Sequence, residues 1–416
     1  MIILRLFREG FLFAFNSLIV NKLRTFLSLF GITIGILAII SVFTVLDWME
    51  KSVKDSIATL GDDIIYIQKM PWSFDPNLPW WDLLSWPAVS LDDYETIRKN
   101  STRSAAAAYL VMFSRQLKYR DMAVNDAFIW ASTYELVNVR SFEIEKGRYF
   151  SPYESSSGKA VAIIGAITAE TLFDRIDPVG QTITLGGHKA AIIGVFKKEG
   201  QGGISDSGMD EVTVIPVEFA KNMINLRNRF IESNIMVKAR DGVSATELTD
   251  ETMMIIRAAR RIKPDQVNNF SVNKASLLTQ GFDSVFAGIN IGGWIIGGFS
   301  ILVGGFGIAN IMFVSVKERT NIIGIQKALG AKKSFILWQF LFESILLSIL
   351  GGMIGLFIVF IGTQVISYIY ELNMHLTTGN IILGLSISAT IGIIAGYAPA
   401  YSAAKMNPVD AIGFSF

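Results

Sequence analysis

The feature that most constrains this chain is a set of four uncharged stretches, each long enough to cross a bilayer as a helix. Residues 25–46 run for 22 positions without Asp, Glu, Lys or Arg, residues 284–316 for 33, residues 344–370 for 27 and residues 372–404 for 33. At about 1.5 Å of rise per residue, the shortest gives roughly 33 Å of helix, against a hydrocarbon core of about 30 Å. Backbone in that core must satisfy its own N–H and C=O groups, so each stretch is predicted to be a helix. With 51% hydrophobic and 18% charged residues, the chain is too apolar for an ordinary soluble protein. The first stretch does not read as a cleaved signal peptide, because charged, helix-like sequence follows it instead of a small-residue cleavage site. Spans are predicted over 21–47, 284–316, 334–370 and 379–404.

Charge sets the orientation. Segment 47–283 holds 27 Lys+Arg and 31 Asp+Glu, which leaves ten of the 37 basic residues elsewhere. These are Arg5, Arg8, Lys22, Arg24, Lys317, Arg319, Lys327, Lys332, Lys333 and Lys405, all on one predicted side, while the short loop near 371–378 has none. The positive-inside rule puts both termini and the 317–333 elbow in the cytoplasm, and 48–283 outside, in the periplasm of a bacterium. The fold class expected is an α-helical membrane protein with four transmembrane helices and a large α+β domain between the first and second. Residues 1–20, with Arg5, Arg8, Glu9 and Asn16 at near-helical spacing, suit an amphipathic helix in contact with membrane lipid. Residues 405–416 form a cytoplasmic tail.

The external segment mixes both periods. Asp63 and the following IIYIQKM, residues 109–119, Ser233 with NIMVKA, and 268–273 read as strands. Helices are predicted after Ser90, with Asp93 three residues on, and after Ser244, with Glu247 in a capping-box position. Two β-α-β passes separated by about 100 residues suggest one split domain, 48–121 with 229–283. The insert, 122–228, is rich in strand candidates at 160–165, 181–187 and 189–196, punctuated by glycines and Pro178. Trp72, Trp80, Trp81 and Trp86 sit among prolines in what reads as a loop, open to lipid, to a hydrophobic substrate, to a partner, or to packing on its own domain.

Several chemistries find no support. Net charge is +1, which gives no bulk attraction to nucleic acid. There are no cysteines and two histidines, His188 and His375, far apart, so no metal cluster is expected. The only Gly-Lys pair, Gly158-Lys159, lacks the upstream glycine of G-x-x-x-x-G-K-[ST], because position 153 is Tyr. No hydrolase motif stands out. No catalytic residue and no cofactor bound by this chain are predicted.

Each span carries a Gly-xxx-Gly pair: Gly31 with Gly35, Gly293 with Gly297, Gly351 with Gly355, and Gly392 with Gly396. Small residues at this spacing let helix backbones approach closely. The bundle lacks the charged or broken mid-membrane segments of an ion-coupled transporter. Between the second and third spans lies the elbow, 317–333, with five basic residues and one acidic residue. It is too short for a domain and is a natural place for a partner to push.

Taken together, Asn21 with KLRTFLSLFGITIG, Val303 with GGFGIANIMFVSVKERT, and Gly324 with IQKALGAKKSFILWQFLFES resemble the MacB/FtsX-type ABC transporter permeases. So do Glu145 with KGRYF, Leu172 with FDRIDPVGQTITLGG, Ile193 with GVF, and Ala395 with GYAPAYSAAKMNPVDAI. The resemblance covers nearly the whole chain. It implies a Porter-like lobe (48–121 and 229–283) and a Sabre-like insert (122–228). It also implies a permease dimer served by two copies of a separate ABC ATPase, with ATP and Mg bound there, and mechanotransmission from cytoplasm to periplasm. The ATPase-coupling residues expected on this basis are Glu318, Arg319, Thr320, Gly324, Ile325, Lys327, Ala328, Gly330, Ala331 and Lys332, with charged tips meeting the partner and Gly330 reversing the turn. Glu343 also matches, and pairs with a basic elbow residue or sits in the headgroup zone. The pattern departs at Ile322, where relatives commonly carry an acidic residue. Function is expected to be export of a drug, peptide, lipid or lipoprotein, with a periplasmic adaptor and an outer-membrane channel as further partners. The alternative is a membrane-anchored signalling subunit that activates a cell-wall hydrolase without transport.

Overall fold

A computed structural model describes residues 22–73, 79–174, 176–199, 208–228, 230–370 and 372–412. The interfacial helix expected over 1–20 therefore lies outside the described residues. Besides four short helices, Trp80–Ser85, Leu136–Val139, Pro152–Ser156 and Val217–Ala220, the described residues form α1 (Lys22–Ala58), α2 (Leu91–Asn100), α3 (Ala166–Phe173), α4 (Ala245–Ala259), α5 (Ala275–Glu318), α6 (Thr320–Ala328), α7 (Lys333–Tyr370), α8 (Thr378–Lys405) and α9 (Pro408–Ile412). The strands are β1 (Ile64–Gln68), β2 (Ser104–Tyr119), β3 (Met122–Ser132), β4 (Ile144–Gly147), β5 (Val161–Ile164), β6 (Thr182–Leu185), β7 (His188–Phe196), β8 (Thr213–Pro216), β9 (Glu232–Ala239) and β10 (Ser271–Lys274). The chain forms two compact units, Met1–Glu50 with Val285–Phe416, and Lys51–Ser284.

Lys51–Ser284 is built on a ten-stranded sheet, ordered β10-β1-β9-β2-β3-β8-β5-β7-β4, with β6 beside β2 and β7. The two expected β-α-β passes, β1-α2-β2 and β9-α4-β10, interleave as β10-β1-β9-β2, every neighbour antiparallel. Period-2 alternation explains the layers. Ile65, Ile67, Tyr109, Val111, Ile235 and Val237 face one way, against Ile97 of α2 and Leu248 and Ile256 of α4. Ile64, Tyr66, Ala108, Leu110 and Met236 face the other, against Leu136 and Val139. The insert strands continue the same sheet through the β2–β3 hairpin, and Ile164, Ile192 and Ile215 extend the first core. Strands of 48–121 with 229–283 and those of the 122–228 insert thus share one sheet.

Local signals act as their chemistry requires. Ser90 and Ser244 each accept from the N–H three residues on, and Asp93 and Glu247 return the bond to the cap N–H. Asp93 also joins the two passes: Arg260 Nε and Nη2 donate to its carboxylate at 3.0 and 2.7 Å, the carboxylate being buried and the guanidinium partly so. Burial alone would raise the Asp93 pKa; the hydrogen bonds and charge of Arg260, with those of Ser90, outweigh it and hold the carboxyl below its ordinary value. The Glu145-KGRYF segment serves the fold. Gly147 has φ +81° and its Cα side abuts the Ile193 carbonyl, Arg148 forks onto Glu154 at 2.7 and 2.9 Å, and Phe150 is fully buried.

Two expectations change in detail. β2 begins at Ser104, five residues before the expected start, because four alanines of low strand propensity hide it. The Trp/Pro stretch is not all loop. Trp80–Ser85 forms a helical turn with no buried residue, leaving Trp80 and Trp81 66% and 60% exposed. Trp72 instead packs on Tyr66 at 4.9 Å, and its backbone N–H donates to Asn273 Oδ1 at 2.9 Å.

In the other unit, α1, α5, α7 and α8 are each long and apolar enough to cross a membrane. Lipid tails are as apolar as the helices, so close packing and interhelical hydrogen bonds must hold them. Thr33 Oγ1 of α1 donates to the Gly351 carbonyl of α7 at 3.1 Å. Ser344 Oγ of α7 donates to the Gly392 carbonyl of α8 at 2.9 Å, and Ser348 Oγ donates to the Ser388 carbonyl. At one end of the bundle, Asn380 Nδ2 donates to Asp47 Oδ2 at 2.9 Å, beside Thr377, whose hydroxyl caps α8.

Candidate functional site

The site is the elbow between α5 and α7. α5 stops at Glu318 because Arg319 leaves helical geometry (φ −102°, ψ 9°), and α6 starts at once. Thr320 Oγ1 donates to the Lys317 carbonyl at 2.8 Å, satisfying an acceptor at the end of α5. α6 ends in a Schellman motif: Ala331 N–H reaches the Gln326 carbonyl at 3.0 Å and Gly330 N–H the Lys327 carbonyl at 3.1 Å. The motif needs a positive φ at Gly330, which sits at +95°. Gly330 therefore reverses the turn, and α7 begins three residues later.

The ten expected coupling residues divide by face. Thr320 and Gly324 lie on the buried side of α6, together with Ile323, which is not among the ten, and Ala331 packs against the bundle core. Arg319 and Lys327 also turn inward, although both were expected among charged tips that meet a partner. Arg319 Nη1 lies 3.2 Å from Glu343 Oε2, with side chains 17% and 5% exposed, so Glu343 takes the pairing alternative. Lys327 Nζ donates to the Ala404 and Met406 carbonyls at 2.7 and 2.5 Å, at the C-terminus of α8. Apolar surroundings, followed by the nearby Lys333, draw the Lys327 pKa below its ordinary value. The reason for this inward turn is acceptor supply: the carbonyls ending α8 lack intrahelical donors, and the helix dipole favours a cation there.

Glu318, Ile325, Ala328, Gly330 and Lys332 remain on the exposed side. The centre of that face is apolar. Ile322 and Ile325 are each 50% exposed and Leu329 84%, and Val409 of α9, which packs beside α6, is 83% exposed. Lys317, Lys332 and Lys333 are exposed around it. An apolar centre with a charged rim is the anatomy of a protein interface. Ile322, the departure from the family pattern, belongs to that centre.

Seven of the eight predicted packing glycines meet a neighbouring helix. A Cβ at Gly35 would lie 3.0 Å from the Ser300 carbonyl of α5, at Gly293 3.4 Å from Leu46, and at Gly297 2.5 Å from Ile39. At Gly351 and Gly355 it would lie 3.0 Å from Ile32 and 3.1 Å from the Thr33 carbonyl; at Gly392 it would lie 2.8 Å from Ile345 Cα, and at Gly396 it would strike the Ser344 hydroxyl. Gly31 is the exception, because a Cβ there meets nothing within 4 Å. Its own carbonyl is what a neighbour approaches, at 3.7 Å from a Cβ on Gly304. The sequence did not single out Asp47, Thr377 or Asn380. A carboxylate directly after an uncharged run was the available signal. Among the described residues no group of three or more His, Asp or Glu could hold a metal ion.

The MacB-like periplasmic core domain matches residues 25–253 and the FtsX-like permease C-terminal domain matches 294–408. The macrolide export ATP-binding/permease protein MacB 2 of Aeromonas hydrophila subsp. hydrophila is 29% identical over 409 residues, covering 98% of this chain and 60% of that protein. MacB of Bdellovibrio bacteriovorus is 29% identical over 412 residues, covering 96% and 61%. The chain thus spans about three-fifths of the length of these relatives. Among solved structures, the periplasmic region of MacB from Actinobacillus actinomycetemcomitans aligns at 16% identity with a TM-score of 0.44, covering 56% of this chain and 97% of that one. With a periplasmic-core match over more than half of its length and a permease match over the remaining spans, this chain belongs to the MacB/FtsX-like family of ABC transporter permeases.

Proposed function

We propose that this chain is the non-catalytic permease subunit through which a separate ABC ATPase, present in two copies and holding ATP and Mg, drives movement of a periplasmic domain. The observation that carries the reading is the exposed apolar face Ile322, Ile325 and Leu329 with its lysine rim, set on an elbow tied to the bundle by Arg319 and Lys327. A partner pushing on that face meets a lever, because the elbow cannot yield independently of the helices behind it. The ten basic residues on one side support an inner-membrane location with both termini cytoplasmic. Gly288 and Gly292 of α5 face open space, and supply the close-approach surface that a second copy of the permease would use. The relatives' names print macrolide export, which supports export as the direction; the cargo class proposed for this chain is a drug, peptide, lipid or lipoprotein, with an adaptor and an outer-membrane channel as further partners.

The test is affinity purification of the tagged full-length chain from native membranes, with mass spectrometry of what accompanies it. A nucleotide-hydrolysing subunit carrying G-x-x-x-x-G-K-[ST] is expected, and Leu329→Asp should reduce its recovery about tenfold or more, the loss that follows from disrupting an interface centre. Recovery unaffected by Leu329→Asp would remove the elbow from the docking surface. An adaptor and channel in the same eluate would select export, whereas a cell-wall hydrolase would select the signalling alternative.

A further inference from the structure

We infer that α8 is the strut that carries displacement of the elbow to the far end of α1, with Lys327 and Asp47 as its positioning residues. The inference rests on the coupling-elbow reading and adds a route to it. α8 is held at both ends by side chains of other helices, each matching the sign of its dipole. At the C-terminus the Lys327 ammonium, which belongs to α6, donates to the Ala404 and Met406 carbonyls. At the N-terminus the Asp47 carboxylate, which belongs to α1, accepts from Asn380 Nδ2 at 2.9 Å and lies 3.5 Å from the Thr377 hydroxyl. Cation at the carboxyl end and anion at the amino end are the two arrangements the helix dipole stabilises.

Between these ends the helix cannot slide. Ser344 and Ser348 of α7 bond its backbone, Gly352 of α7 and Ser388 are in direct contact, and Gly384 meets Ile40 of α1. Asn380 is buried and Thr44 of α1 lies 3.4 Å from its amide, so the upper tie sits in a place where an unpaired polar group is costly. α1 then runs on without a break to Ala58. An elbow pushed from beneath therefore moves Lys327, α8, Asn380, Asp47 and α1 in series. Coupling along this route shows itself in paired perturbations of its two ends.

The chain has no cysteine, which makes a single Lys51→Cys on the exposed surface of α1 a clean reporter. The full-length protein is reconstituted in nanodiscs with its ATPase subunit, and the maleimide labelling rate at position 51 is measured with and without ATP. The expected result is a nucleotide-dependent rate in the parent that Lys327→Met and Asp47→Asn each reduce about twofold or more. Each single variant severs the route and leaves the same residual response, so the double variant should fall to that residual and no further. Lys327→Arg restores the response because it keeps a donor at the α8 carbonyls. Asp47→Asn keeps ATP turnover within about twofold, since it lies at the opposite end from the elbow. A nucleotide response intact in both single variants, or effects that multiply in the double variant, would overturn the strut while leaving the elbow reading in place. A parent with the ATPase bound and no response at position 51 would overturn both.

Discussion

Gly330 and Asp93 are the residues whose replacement says most. At Gly330 an L side chain would be held at φ +95°, at a cost of about 1–3 kcal/mol. Gly330→Val should therefore leave the protein in the membrane, but loosen the start of α7 and lower partner-stimulated ATP turnover; turnover equal to the parent's would mean that the turn has no role in coupling. Asp93 tests the external domain. Its carboxyl titrates below the ordinary value when folded, so the stability it gives is present above about pH 4 and is lost as pH falls below that. Asp93→Asn should unfold at a lower temperature than the parent at neutral pH, and the gap should close on acidification. Arg260→Ala leaves a buried carboxylate unpaired and should cost about 3–5 kcal/mol at neutral pH, read as a drop in the thermal midpoint of the purified full-length chain.

Among elements, the α7–α8 pair depends most on its small residues. Gly392→Leu would drive a side chain into Ile345 and Ser348. It should destabilise the bundle by about 1–3 kcal/mol, as overpacking does, whereas Gly31→Leu, with nothing within 4 Å, should change stability little. Comparing detergent-dependent unfolding of the two variants checks this. The four spans were legible because hydrocarbon enforces long uncharged helices, and the two capping boxes because Ser and an acidic residue at that spacing have few other uses. What the sequence did not give away was direction. Helical spacing puts Lys327 and Ile325 on α6 but does not say which side is buried. The unpaired carbonyls ending α8 draw Lys327 inward, and the apolar residues are left outside. Likewise, alanines 105–108 carry no strand signal, and only pairing with β9 makes them β2.

For the whole molecule, the split β-α-β pattern was visible as two helices with matching caps, but the join between lobes was not. It depends on β2 being 16 residues long, so that one strand serves β9, β3 and β6. Nor does pattern alone reveal that Asp47 and Lys327, 280 positions apart in sequence, hold opposite ends of one helix. The account stands on the outward face of α6 being where an engine subunit docks. The most direct measurement places a photo-crosslinking residue at position 329, at 325, or at the exposed position 153 of the external domain, in cells, and identifies the product. The account predicts a crosslink to a nucleotide-hydrolysing subunit from 325 and 329 and none from 153. A crosslink to that subunit from 153, or none from 325 and 329 while the complex is intact, would contradict it.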